Sequence, residues 1–354
     1  MITSSFDPDA RLPRLPVTRG LVWQPIEGWT YAHHAHLAFA GGQFVAIWSN
    51  GRRDEDAPGQ RVLVSTSPDG LAWAPAQVLA ADGEMILTAA GLHHHAGQLV
   101  AHLGSYPEGI ASCTLLAATS RDGVTWSAPH DLGVSVTPNH GPQPTRSGRL
   151  IIAGNSAFPW TDDPSGLAGW RMAGIHPLDR PGFHDDPGSF WRVREWRDWP
   201  VALCEASLWQ TDDGILRMLL RSTGHGFRGR LWATASHDDG VTWSAPVETG
   251  FTDADTKFHL GRLPDGRFWH VGSPDPRQQH VRSSLVLSLS RDGLAFDRQF
   301  LVADEPWAMA TPGRSKHGQY GYPHSLVHGD HWYVIISRQK EAIEVLRVPL
   351  AALV

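Results

Sequence analysis

Two cysteines in 354 residues, Cys113 and Cys204, leave no material for a disulfide framework or a paired-cysteine metal knuckle. No run of about 18 apolar residues is present, so no membrane-spanning helix is expected. The opening stretch MITSSFDPDARLPRLP has none of the apolar core that a secretory signal needs. A soluble, cytoplasmic protein is the resulting expectation. Basic charge is not in excess either: 30 Lys and Arg face 36 Asp and Glu, a formal net charge of −6. That balance offers no electrostatic footprint to nucleic acid or an anionic membrane, so an anionic ligand must be held by individually placed cations. Long stretches of helical apolar periodicity are also missing. The 20 histidines include no helical HxxxH pair and no His/Cys zinc spacing, so neither metal nor other cofactor is expected.

What the chain has is punctuation. Its 36 Gly, 26 Pro and 16 Trp separate short apolar runs, the pattern of an all-β protein. The segments SPDGLAW (67–73), SRDGVTW (120–126), SHDDGVTW (236–243) and SRDGLAF (290–296) are variants of one motif. Each suits a tight turn in which Ser and Asp side chains bond backbone groups, Gly takes a positive φ and the aromatic packs beneath. A second element precedes them, two apolar strands around a turn: GGQFVAIW, AGQLVAHL, SGRLIIAG, DGILRMLL, DGRFWHVG and GDHWYVII. The turns fall at Gly42, Gly97, Gly148, Gly214, Gly266 and Asp330. Turn-to-motif offsets of 28 (Gly42 to Gly70), 26 (Gly97 to Gly123), 26 (Gly214 to Gly240) and 27 (Gly266 to Gly293) define a repeat.

Six such units predict a single six-bladed β-propeller over residues 1–354, with four-stranded antiparallel blades. The third unit carries an insertion at about 156–200, rich in Pro and Trp. The sixth lacks room for a fourth strand, which LVWQPI (21–26) would supply, closing the ring and removing exposed edges. In such a ring the first strand of each blade lines the axis. The residues seven to nine before each turn are His33/His34, Thr88/Ala89, Asn139/His140, Glu205, Lys257/Phe258 and Tyr322. A funnel serving only packing would not gather this ionisable set, which marks a binding or catalytic site.

The Asp-box motifs, CEASLWQTDDGILRMLLRST in unit four and YGYPHSLVHGDHWYVIISRQKEAIEVLRV in the last unit resemble the sialidase (neuraminidase) superfamily over nearly the whole chain. The resemblance implies a tyrosine nucleophile paired with a glutamate, and Tyr322 and Glu205 match in place and order. A phenol is a poor nucleophile until a carboxylate takes its proton, and a neutral nucleophile is not repelled by an anionic sugar. The family grips the sugar carboxylate with three arginines, whose forks match it bidentately. Arg221 and Arg282 match the second and third. The first is replaced by Ala32-His33-His34-Ala35-His36-Leu37. The family's acid/base aspartate belongs in the loop NGRRDEDAPGQR (50–61), where Asp56 or Asp54 is the candidate and Arg53 matches the arginine before it.

Three functions follow. The first is a sialidase-like exo-glycosidase for a carboxylated sugar, sialic-acid-like or uronic, with His33 in place of an arginine favouring the uronic class. Substrate contacts are expected from Arg221, Arg282, Arg53, His33, His140, Lys257 and His324, beside catalytic Tyr322, Glu205, Asp56 and His34. The second is a uronate lyase, with His34 or His140 as base, Tyr322 as proton donor and Arg221 on the carboxylate. The third is a non-catalytic glycan-binding propeller. A monomer with an acidic carbohydrate ligand is expected in each case. Trp160, Trp170, Trp191, Trp196 and Trp199 either stack on sugar rings or fill a core, and His93-His94-His95 reads as a solvated loop.

Overall fold

The computed structural model describes residues 1–109, 113–175, 202–223, 227–314 and 316–354. The chain is all-β and β-propeller-like, with two three-residue 3-10 turns, Pro276–Gln278 and Leu350–Ala352, among the described residues. Tyr31–Ala40, Gln43–Gly51, Arg61–Ser67 and Gln77–Ala80 form the first antiparallel meander, and Ile86–His95, Gln98–Tyr106, Thr114–Ser120 and His130–Ser135 the second. The third is reduced to the two-residue strands Gln143–Pro144, Leu150–Ile151 and Trp160–Thr161. Pro138, Pro142, Pro144 and Pro159 account for the reduction, since each removes an amide donor from the ladder. Ala202–Gln210, Leu216–Thr223, Arg230–Ser236 and Val247–Thr252 make the fourth, and His259–Arg262, Phe268–Gly272, Leu285–Ser290 and Ala295–Ala303 the fifth. Gly321–His328, His331–Arg338 and Ala342–Pro349 make the last, completed by Thr18–Trp23 pairing antiparallel with Ala342–Pro349.

Three details differ from expectation. The closing strand lies at 18–23, not 21–26. In the last hairpin the positive φ belongs to Gly329 (57°), because His328 and His331 pair across a Gly-Asp turn. Hydrogen bonding yields five sheets, not six separate ones, because Thr3–Ser4 pairs in parallel with both Val247–Thr252 and Ala295–Ala303 and joins two meanders. The Trp191, Trp196 and Trp199 positions lie outside the described residues. Trp160 is buried under the Arg149 guanidinium, 3.7 Å from its ring centre, and Trp170 packs on a core cluster of Leu115, Val134 and Ile152.

The Asp boxes do as their chemistry demands. In the first, Ser67 Oγ accepts from Gly70 N at 2.9 Å, Asp69 Oδ1 accepts from Leu71 N and Ala72 N, and Trp73 Nε1 donates to Gly70 O at 3.2 Å. The second box repeats these bonds around Ser120, Asp122 and Trp126. Each box also seats against the preceding meander. A Cβ on Gly70 (φ 75°) would lie 2.8 Å from the Tyr333 ring of the last meander, and one on Gly123 2.9 Å from Val45 of the first. Apolar clusters fill the junctions in the same cyclic order, for example Trp48 and Leu63 with Tyr333 and Ile335, and Val45 and Ile47 with Leu99 and Leu103. The Gly70→Ala substitution therefore strains both the turn and the junction of first and last meanders. It is expected to destabilise the protein by about 2 kcal/mol, read as a lower urea midpoint; an unchanged midpoint would mean that this junction does not carry load.

Candidate active site

The innermost strands of four meanders share one irregularity. Register shifts fall between His33 and His36, Ala89 and Gly91, Cys204 and Ala206, and Gly321 and His324. Such bulges turn a side chain out of the strand's alternation. They carry His34, Ala90, Glu205 and Tyr322, and three of these are left-handed: His34 (φ 52°), Glu205 (39°) and Tyr322 (51°). Of the eleven non-glycine residues with positive φ among those described, seven line one cavity: His34, Asp56, Glu205, His280, Arg282, Tyr322 and Lys340. Left-handed backbone costs roughly 1–2 kcal/mol per ordinary residue, and its concentration around a polar cavity marks a site under functional constraint. The cavity measures about 270 Å³, just below the roughly 300–1,000 Å³ of ordinary ligand pockets, which suits a single ring.

One wall is a buried network. Arg221 pairs with Glu205, donates from Nη1 to the Tyr322 hydroxyl at 2.9 Å and from Nε to Asp255. Asp255 also accepts from Thr223 Oγ1 at 3.1 Å and Gln279 Nε2 at 3.2 Å. Burial raises the Glu205 pKa, but Arg221 and the hydrogen bonds from Tyr322 and Arg221 outweigh it and leave the carboxyl below its usual range. Burial, then the Glu205 charge, drives the Tyr322 phenol well above its ordinary value. Glu205 is thus the ionised acceptor and Tyr322 the protonated donor, the ground state a base–nucleophile pair requires. The Arg221 hydrogen bonds go to groups of the protein itself, two carboxylates and the Tyr322 hydroxyl. Arg282 differs: Nη2 donates to Asp255 O at 2.9 Å, while Nε and Nη1 are buried with no hydrogen-bond partner among the described residues. Buried guanidinium donors without partners call for an acceptor from outside. Lys257, 2% exposed, stands 5.5 Å from the Tyr322 ring centre, and burial lowers its ammonium to about 7.

The facing wall holds two carboxylates with opposite tendencies. Glu55 accepts from Tyr31 OH at 3.0 Å, pairs with Lys340 at 2.5 Å and approaches His34 Nε2 at 3.3 Å. Burial opposes its ionisation, yet Lys340 and the histidines hold it well below the usual range. Asp56 accepts from Tyr106 OH at 2.6 Å. Burial, then the neighbouring Glu55 charge, raises its pKa against that hydrogen bond. Environments that push two carboxyls apart can separate a proton donor from a spectator anion, and of this pair Asp56 is the one held towards the protonated form.

Of the residues singled out in the sequence, the fold brings Tyr322, Glu205, Asp56, His34, Arg221, Arg282 and Lys257 to this cavity. Asp54 and Arg53 do not line it: Asp54 accepts from Arg314 N, and exposed Arg53 donates to Pro312 O at 3.0 Å. His33 lies behind the wall, its ring 4.1 Å from that of Tyr322 and its Nδ1 2.6 Å from Ser337 Oγ. His140 and His324 lie outside the lining, grouped with His36 and His259. Sequence reasoning did not assign roles to Glu55, Tyr106, Asp255, His280, His317 or Lys340. Lys340 sits at the tip of a hairpin between two regular strands, where no motif marks it.

A family profile described as the BNR repeat-like domain matches residues 42–335. The chain belongs to this family. No curated protein sequence matches it. Among solved structures, a protein of unknown function from Dyadobacter fermentans is similar at TM-score 0.66 and 14% identity, over 94% of this chain and 99% of that one. The sialidase of Trypanosoma rangeli is similar at TM-score 0.62 and 14% identity, over 90% of this chain and 55% of that one. The α-L-arabinanase of Penicillium chrysogenum, complexed with arabinobiose, is similar at TM-score 0.59 and 12% identity, over 94% and 98%. At these identities the likeness to solved structures is one of fold. This chain is thus of the BNR repeat-like family, and its likeness to sialidases is one of architecture.

Proposed function

We propose that this chain is a single six-bladed propeller and an exo-acting glycoside hydrolase for a small carboxylated sugar. The reading rests on one observation: Tyr322, Glu205 and Arg221 form one buried network on the cavity that Asp56 also lines. Six core junctions in cyclic order support the blade count. In the first step the Tyr322 oxygen attacks the anomeric carbon and its proton passes to Glu205. The glycosidic C–O bond breaks, and Asp56 gives its proton to the leaving oxygen. In the second step Asp56 takes a proton from water, the water oxygen displaces Tyr322 from the anomeric carbon, and Glu205 returns the proton to the phenolate. Arg282 holds the sugar carboxylate, and Arg221 positions Glu205 and steadies the developing phenolate.

The test is incubation with aryl glycosides of uronic and sialic-type sugars, following the released sugar by NMR and the near-ultraviolet absorbance of the product. Hydrolysis releases a saturated sugar. A product whose NMR spectrum shows a C4–C5 double bond would instead establish β-elimination, and binding without turnover would leave a glycan-binding propeller.

The acid assignment makes its own prediction. Asp56 works only while protonated, and its raised pKa extends that state upward, so turnover should fall as pH rises through a value above the ordinary aspartate range. Asp56→Asn should lose this alkaline limb. It should also lower kcat/KM, which reports the first step, by roughly 10²–10⁴-fold for substrates with basic leaving groups while sparing kcat/KM for activated aryl glycosides. Equal losses for both leaving-group classes would remove Asp56 from the acid role.

A further inference from the structure

Beneath the sugar-sized cavity the axis holds a second constellation that the reaction above does not use. His36 comes from the innermost strand of the first meander, His140 from the segment before the third and His324 from the innermost strand of the last. One ring nitrogen from each lies within 4.8 Å of the other two. His36 and His140 are almost wholly buried, at 0% and 1% exposure.

Their hydrogen bonding is incomplete in a telling way. Both nitrogens of His36 and Nδ1 of His140 are buried with no partner among the described residues. The other nitrogen of His140, Nε2, lies 2.9 Å from Phe258 O and so carries the proton, which leaves Nδ1 as a bare lone pair. A histidine that donates one N–H to a backbone carbonyl and presents the other nitrogen inward is the usual form of an oriented metal ligand. His324 contributes through a ring held by a long contact from Leu37 N, 3.3 Å, which is weak enough to yield. His259 is the neighbour that stays out: its Nδ1 accepts from Ser325 N at 3.1 Å and lies 2.9 Å from Ser325 Oγ, so its proton sits on Nε2 and leaves no free lone pair. Lone pairs buried without partners are otherwise a cost with no return.

We propose that His36, His140 and His324 bind a divalent transition-metal ion, zinc by donor type, on the propeller axis. Three imidazoles are a donor set that zinc accepts, and an ion at about 2.0–2.1 Å from each nitrogen would draw them to about 3.3 Å apart. The ion would tie the first, third and last meanders together across the axis, where among the described residues no hydrogen bond joins these three rings. No sequence motif announces the site, since its ligands lie 104 and 184 residues apart (36 to 140, 140 to 324). The expectation of no metal came from local spacing alone.

The experiment is a titration of chelator-stripped protein with Zn²⁺ and, separately, with Co²⁺. The exposed run His93-His94-His95 is a competing surface site, so the titration uses the triple variant His93→Ala, His94→Ala, His95→Ala beside the unaltered chain. Expected are one tight equivalent in both proteins, visible d–d bands of tetrahedral Co²⁺, and a melting temperature that rises with Zn²⁺ concentration. His140→Ala in the triple background should weaken binding at least 100-fold and abolish the Co²⁺ bands. If that variant does not fold, the Co²⁺ spectrum and the Zn²⁺-dependent melting of the triple variant decide alone. Loss of binding in the triple variant, or unchanged binding in His140→Ala, would overturn the site.

Discussion

Replacing Tyr322 by phenylalanine is expected to cut kcat by at least about 10³-fold with KM within a few-fold, because in the proposed reaction the phenol oxygen is the attacking atom while the ring does the packing. Phenylalanine keeps the contact with His33, whose ring lies 4.1 Å away. It leaves Arg221 paired with both Glu205 and Asp255, so no buried charge is orphaned and the fold should survive. Steady-state kinetics on an activated aryl glycoside, with circular dichroism and a thermal melt beside it, check this. Turnover within tenfold of the unaltered chain would show that another group makes the bond to the sugar.

The second large effect belongs to Arg282. Its Nε and Nη1 have no partner among the described residues, so in the proposed reading a bound carboxylate would gain charge-assisted hydrogen bonds there. Arg282→Ala should raise KM for the acid substrate by roughly 10²-fold, about 3 kcal/mol, while the methyl ester of the same sugar changes little. Arg282→Lys keeps the charge without the fork and should recover only part of the loss. If acid and ester lose affinity alike, the clamp lies elsewhere. Arg221→Ala is the less informative experiment, since it would strand Glu205 and Asp255 together in a buried place and confuse binding with folding.

These two residues also show how far a linear reading reaches. Tyr322 and Glu205 could be picked out because each lies at a constant distance before a repeated turn, and the repeat encodes which strand faces the axis. What the strand pattern does not encode is the bulge. A strict alternation would not place His34, Glu205 and Tyr322 at left-handed backbone positions around one cavity, and that conformation is imposed by neighbouring strands. The choice between Asp54 and Asp56 was open in the sequence because the two are two residues apart in one charged loop. The fold separates them, placing Asp56 on the cavity and against Tyr106, on a strand of the second meander, and Asp54 against Arg314, far along the chain. Lys340 and Asp255 were invisible for the same reason: their partners, Glu55 and Arg221, come from other meanders.

By itself the sequence determined the all-β repeat, the Asp-box turns and the strand that completes the last meander, because turn chemistry and strand alternation act over a few residues. Tertiary structure alone decided which charges meet. It joined two meanders through Thr3–Ser4, tied Arg221 to Glu205, Asp255 and Tyr322, left two Arg282 donors without a partner among the described residues, and gathered His36, His140 and His324 together. The physical reason is range. Hydrogen-bonded turns are local, whereas burial and Coulomb fields depend on neighbours that chain closure brings from hundreds of residues away.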